Sequence, residues 1–270
     1  MSYFYEYFAR EYREGRKDRL LPGPAAIFRE IAPEDIRSCR KTLKNAFAGY
    51  REGRNAEELK RLLGEYREYI AGCHGANSRD RYNAVVYRYM IPAHVGTRAI
   101  GSRLGVGSET VFNYINRGMD EMLLLCMGVP AADPPEDEKE AVCMLVDHSR
   151  IFFGMAGDYI FRLFPERRER AAVEQGRQIT ERIMENLADA AGAYTAYCND
   201  EHTRIEHDIR KAKVLEKRLS GIPPAAIAGE CGCCVSTVYK DIEENGRRLA
   251  AMLFDPGDPR GGRSETRPAI

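Results

Sequence analysis

Apolar residues recur at steps of three and four along most of this chain, and that spacing constrains the fold more than any other feature. Leu59, Leu62, Leu63, Tyr66 and Ile70 share one helical face, as do Ile179, Ile183, Met184 and Leu187. Sustained two-residue alternation is missing, and no Asn-Gly or Asp-Gly pair sits between β-rich runs. Ala, Arg, Glu and Leu are abundant, and all favour helix. The spacing predicts an all-α protein.

The breaks are rich in proline. Pro22-Gly23-Pro24 closes an N-terminal helical stretch, and Val129 to Glu138, VPAADPPEDE, has the composition of a linker. The tail from Asp255 onward is rich in Gly, Pro and Arg without apolar periodicity, which predicts mobility. A linker near the middle prompts a search for a repeat. At an offset of 127 residues, Ala99 to Val129 aligns without gaps on Ala226 to Pro256. Ala99, Ile100, Gly105, Thr110, Val111 and Ile115 recur as Ala226, Ile227, Gly232, Thr237, Val238 and Ile242. Duplication and convergence on one motif both account for the matches.

The shared pattern meets the physical needs of a helix-turn-helix. Two short helices crossing steeply need a small residue in the first, here Gly101 and Ala228. The turn needs a residue that tolerates positive φ, here Gly105 and Gly232. Apolar neighbours must hold the helices together, and Leu104 with Val106, or Cys231 with Cys233, take those places. Ser108 or Gly107, and the run Val235-Ser236-Thr237, supply or adjoin the caps of the second helix. Val111 and Ile115, or Val238 and Ile242, face inward.

The outward face is then free to enter a major groove. The first copy offers Arg98, Ser108, Glu109, Thr110, Phe112, Asn113, Asn116 and Arg117, and Asn and Arg pair bidentately with adenine and guanine. The second offers Ser236, Thr237, Tyr239, Lys240, Glu243 and Arg247, with Glu244 and Arg248 nearby. Its acidity leaves direct DNA contact and a protein-binding role both open. A support helix precedes each copy, Tyr82 to Ile91 and Asp208 to Leu219. The expected organisation is a helical unit over 1–128 with its helix-turn-helix at about 82–127, a linker over 129–138, a second unit over 139–254 with its helix-turn-helix at about 208–254, and a flexible tail over 255–270. Each helix-turn-helix is followed by a C-terminal helix, and the reading helices lie near 108–118 and 235–245.

The segments RAIGSRLGVGSETVFNYINRGMDEML (Arg98 to Leu123) and AAIAGECGCCVSTVYKDIEENGRRLA (Ala225 to Ala250) resemble the DNA-reading fourth region of primary sigma factors. They resemble still more the sigma-like helix-turn-helix of ArpU-type phage and prophage regulators. The resemblance implies a sequence-specific, double-stranded DNA-binding transcriptional regulator, with RNA polymerase as a second candidate partner. No segment resembles a promoter-melting part of a sigma factor. The alternatives are an adaptor that binds polymerase or a phage protein, and an accessory factor for DNA packaging or recombination.

Other classes find little support. The chain carries 41 basic and 41 acidic residues, so only a local basic face can serve nucleic acid. No P-loop, G-x-G-x-x-G, G-x-S-x-G or H-E-x-x-H occurs, so neither an enzyme nor a small-molecule site is expected. Cys231, Cys233 and Cys234, even with Cys198 and His202, lack the paired spacing of a zinc site, so no metal or other cofactor is expected. The start lacks an apolar signal region, no stretch is long enough for a membrane span, and the sparse cysteines suit reduced thiols, which together predict a cytoplasmic protein. The aromatic run YFYEYFAREY is expected to pack on the first half's own core, the alternative being a contact surface for a partner. Glu166 to Arg170 is expected to be a solvated face. Segments 25–80 and 138–207 are helical on pattern and carry no functional motif.

Overall fold

A computed structural model of the chain describes residues 3–23, 30–71, 77–128, 135, 137–200 and 206–254. Among these the protein is all-helical and forms no strand; the backbone bridge between Leu21 and Phe254 is isolated. The expected tail, Pro24, His202 and most of the expected linker lie outside the described residues.

The helices are α1 (Tyr3–Glu14), α2 (Pro33–Ala48), α3 (Ala56–Ala71), α4 (Ser78–Val85), α5 (Thr97–Leu104), α6 (Ser108–Met127), α7 (Glu138–Asp147), α8 (Ser149–Phe153), α9 (Arg167–Asn199), α10 (Glu206–Leu219), α11 (Pro224–Cys231) and α12 (Val235–Leu253). Local chemistry sets several of their ends. Pro33 opens α2, where its missing N–H costs nothing, and Glu34 and Asp35 complement the positive end of the helix. The Asp137 carboxylate caps α7 by accepting from the Glu140 N–H at 2.7 Å. The first support helix begins at Ser78 and passes into a π-helical turn, Val86–Met90.

The three-and-four spacing does bury one face of each helix read from it. Leu59, Leu62, Leu63, Tyr66 and Ile70 line the inner side of α3, and Ile179, Ile183, Met184 and Leu187 that of α9. One buried cluster runs from Tyr5 to Phe254 and draws residues from both sides of segment 129–138. The long helix α9 is its axis, packing on α2 and α6 and on α10 and α12. The Thr180 hydroxyl of α9 donates to the Gly128 carbonyl at 2.6 Å, and the Ala156 N–H to the Leu125 carbonyl at 3.0 Å.

Two expectations are corrected here. The N-terminal aromatic helix packs on the second half of the chain, not on the first half's core. Tyr5 lies edge-on to Tyr194, with 6.0 Å between ring centres, and Phe8 stacks on Tyr197 at 4.4 Å. Tyr12 donates to the Asp189 carboxylate at 3.0 Å, and the Leu21 N–H donates to the Leu253 carbonyl at 2.9 Å. Tyr194 and Tyr197 present a matching aromatic face far away in sequence, which local periodicity does not reveal. Second, Glu166 to Arg170 is not uniformly solvated, because Glu169 is buried. Its carboxylate accepts from Ser38 and Thr42 of α2, each at 2.7 Å, tying α9 to α2.

Arg248 is another buried charge that joins helices, at 5% exposure. Its guanidinium meets Asp208 at 3.0 Å, Glu244 at 3.3 Å and the Tyr194 hydroxyl at 2.9 Å. Its carbonyl accepts from the Tyr5 hydroxyl. Four helices, α1, α9, α10 and α12, therefore meet at one satisfied cation. Burial pushes the Tyr5 and Tyr194 hydroxyls well above their ordinary range, which keeps both neutral, Tyr5 donating to the Arg248 carbonyl and Tyr194 accepting from its guanidinium.

A second, smaller cluster stands apart from the main one. Ala84, Val95, Ile100, Val111 and Ile115 form it, flanked by Tyr87, Tyr89, Leu104, Val106 and Tyr114. It lies under α4, α5 and the start of α6.

Candidate nucleic-acid interface

The two aligned segments adopt the same local geometry. In the first, α5 ends on Gly105 at φ +69°, and the Gly105 and Val106 N–H groups both reach back to the Gly101 carbonyl. In the second, α11 ends on Gly232 at φ +63°, and the Gly232 and Cys233 N–H groups reach the Ala228 carbonyl. This hydrogen-bonded C-cap needs a residue that adopts positive φ without strain. Gly101 is required for a different reason: a Cβ there would lie 2.5 Å from the Val106 carbonyl oxygen. Ala228 fits at the matching place and is buried.

The inward positions are placed as expected. Val111, Ile115, Val238 and Ile242 are buried, while Leu104, Val106, Cys231 and Cys233 are partly buried against their clusters. The caps fall within the expected alternatives. Gly107 caps α6 through its backbone alone, and Ser108 is the first residue of the helix. Cys234, not Val235, Ser236 or Thr237, caps α12. Its thiol lies 3.0 Å from the Ser236 and Thr237 hydroxyls. Those hydroxyls, with the Thr237 backbone, lower the Cys234 thiol to about 7.

On α6, Ser108, Glu109, Phe112, Asn113 and Arg117 are exposed, and Arg98 is exposed on α5. Thr110 is half-buried. Phe112 stands out at 57% exposure, unusual for so large an apolar ring. Arg117 is 74% exposed and lies 3.9 Å from Glu121. Asn116 is engaged: its side-chain oxygen accepts from Lys44 of α2 at 2.8 Å. One turn further on, Arg40 of α2 grips Asp120 through both carboxylate oxygens. Arg103 of α5 lies over the Tyr87 ring at 5.4 Å.

On α12, Ser236, Tyr239, Lys240, Glu243 and Arg247 are exposed, and Thr237 is half-buried. Tyr239 occupies the register of Phe112 and is also 57% exposed. Glu243 holds the register of Asn116 and likewise meets a lysine from a neighbouring helix, Lys139 of α7 at 2.6 Å. Arg247 bridges to Glu243 at 3.0 Å and to Glu244 at 3.2 Å. Further in, Arg210 of α10 makes a paired contact with buried Asp241 at 2.8 and 3.0 Å, and Asn245 donates to the Lys211 carbonyl. A Cβ on Gly246 would lie 2.3 Å from the Cys143 sulfur, so α7 rests directly against this helix.

The interface so defined gathers Glu109, Phe112, Asn113 and Arg117 on one exposed face of α6, with Arg98 exposed on neighbouring α5. It holds Asn116 back at the edge, and in the second copy it engages Glu243 and Arg247 in ion pairs. Sequence reasoning missed Lys44, Lys139 and Arg40, because nothing local marks which distant lysine will meet a given helix. Among the described residues no group of His, Cys, Asp and Glu could hold a metal ion, and no helix is long and apolar enough to cross a membrane. No family model matches the chain, and neither a curated protein nor a solved structure is significantly similar to it.

Proposed function

We propose that this protein binds double-stranded DNA in a sequence-specific way and acts as a transcriptional regulator, with α6 as its principal reading helix. The observation that carries the reading is the first turn of α6. Glu109, Phe112 and Asn113 stand exposed on one face, above a small core of their own formed by Ala84, Val95, Ile100, Val111 and Ile115. Asn113 offers a donor and an acceptor suited to adenine, and Phe112 an apolar face suited to a thymine methyl. Arg117 continues that face, and Arg98 and Arg103 stand exposed on α5, cations suited to phosphates. The sigma-like pattern of Arg98 to Leu123 supports the same reading.

The second copy reads DNA less directly in this proposal. Tyr239 and Lys240 are available, while Glu243 and Arg247 are neutralised by neighbours. The acids Asp241, Glu243 and Glu244 in the first half of α12 and its cover by α7 favour a second reading for this copy, an adaptor surface for a protein such as RNA polymerase. Selection of sites from a random duplex library, with the full chain near physiological salt, tests the proposal. An enriched motif is the expected result. No enrichment overturns DNA reading and moves the adaptor to first place. Two conserved blocks would instead assign DNA reading to both copies.

A further inference from the structure

We propose that α2 is a second DNA-contacting helix, which grips a phosphate strand beside the groove that α6 enters through Lys44, Lys41 and Arg37. The inference rests on the reading that α6 docks on duplex DNA, and it assigns a role to a helix that has no motif.

Three observations carry it. First, charge is segregated along α2. From Ile36 through Arg51 the chain has five cations, Arg37, Arg40, Lys41, Lys44 and Arg51, and no acid. The two acids of α2, Glu34 and Asp35, sit at its N-terminal end and are both engaged by Arg168. Such an excess is conspicuous in a chain of zero net charge, where any phosphate-binding face has to be local.

Second, the cations share one stripe. At 100° per residue, Arg37, Arg40, Lys41 and Lys44 fall within about a quarter to a third of the helix circumference; Arg40 borders buried Phe47, and Arg37 and Lys41 lie further from buried Cys39, Leu43 and Phe47. Arg37 to Lys44 spans about 10 Å along the axis. Arg37 and Lys41 are exposed, and neither has an ion-pair partner among the described residues. A helix face is usually laced with opposite charges, and this one is not.

Third, the stripe is registered to the reading helix. Lys44 meets Asn116 and Arg40 meets Asp120, successive turns of the same α6 face that carries Glu109, Phe112 and Asn113. The α2 stripe thus begins where the open part of the reading face ends, which is where a flanking strand of a duplex would rise out of the groove. Lys44 itself is left incompletely served. Asp120 is taken by Arg40, and the half-buried Lys44 ammonium has only a neutral amide, with no carboxylate within ion-pair distance among the described residues. A phosphate oxygen would supply the missing charge, as cation–anion hydrogen bonds are the stronger kind.

The test uses the full chain and two labelled duplexes, one carrying the selected motif and one a scrambled sequence. Binding is followed by fluorescence anisotropy over a series of salt concentrations. The variant is Arg37→Gln with Lys41→Gln, both exposed, with circular dichroism as a check that helix content is unchanged. Lys17→Gln, a charge loss in the turn after α1, is the control. The expected result is a salt slope shallower by about two for the double variant, roughly one per lost phosphate contact. Affinity should fall by the same factor on both duplexes, leaving the preference for the motif intact. An unchanged slope with normal wild-type binding overturns the role of α2 and leaves α6 as the reader; the stripe would then serve another anionic partner. An equal change in Lys17→Gln overturns it too, since the effect would be one of net charge. A wild-type chain that binds neither duplex overturns both this inference and the reading beneath it.

Discussion

In the first copy of the turn, Ala84, Val95, Ile100, Val111 and Ile115 form a small core of their own. In the second, Ile227, Ala228, Val238 and Ile242 belong to the main core that begins at Tyr5. The backbone of the turn is the same in both, down to the N–H groups that return to Gly101 and Ala228. What differs is the company the second helix of each turn keeps. Ser108, Glu109, Phe112 and Asn113 of α6 are open, and the polar contacts from α2 fall on Asn116 and Asp120. Along α12, α7 lies against Gly246 and reaches Glu243, while α10 fastens Asp241 and Asn245. The comparison teaches that a repeated local motif dictates a turn and not an exposed surface. Availability is decided by helices far away in sequence.

If the second copy is part of the body, the largest break comes at Arg248. Arg248→Ala leaves Asp208 and Glu244 facing a void and should cost about 3–5 kcal/mol, as expected for one partner lost from a buried ion pair. Thermal melting should remain a single transition at lower temperature. A separate melting step for the second copy would contradict the comparison.

If the first copy rests on its own core, Gly101→Ala should act locally. The new Cβ would clash with the Val106 carbonyl, for a cost of about 1–3 kcal/mol. Hydrogen exchange should quicken across α5 and the start of α6 while α9 stays protected. Faster exchange throughout α9 would show that the two cores are one cooperative unit.

The smallest effect concerns the caps. Cys234 stands at the N-cap of α12 with a thiol that the Ser236 and Thr237 hydroxyls lower to about 7, whereas Gly107 offers no side chain at the same place. The folded chain releases this proton at lower pH than the unfolded chain, so the folded state gains stability as pH rises from about 7 to the ordinary thiol value and no more above it. Alkylation by iodoacetamide, read by peptide mass, should be half-maximal near pH 7 at Cys234. Buried Cys39, whose thiol is pushed up to about 12, should stay unmodified in the native protein. A Cys234 profile centred near that of an ordinary thiol would show that the Ser236 and Thr237 hydroxyls do not hold the anion.

Much of this was legible beforehand. The inner faces of α3 and α9, the all-helical class and the positions of Gly101, Gly105 and Gly232 follow from periodicity and the steric demands of a turn. The placement of α1 was not legible, because an aromatic face shows that it needs burial and not where its partner lies. Glu169 was misread for the complementary reason: its charge suggested solvent, and only Ser38 and Thr42, more than a hundred residues away, make it a buried acceptor. At the interface, the outward residues of α6 could be listed from the helical repeat alone. That Asn116 is held by Lys44 and Asn113 is open depends on α2, whose path no local signal encodes.

The central claim is that the open face of α6 reads base pairs, and Asn113 tests it most directly. Site selection from a random duplex library, run side by side on the wild-type chain and on Asn113→Ala, reads out both motif and strength. The account predicts a motif for the wild type and, in the variant, loss of preference at one position worth about 1–3 kcal/mol, with the other positions kept. An identical motif from both proteins, or none from the wild type, would contradict it.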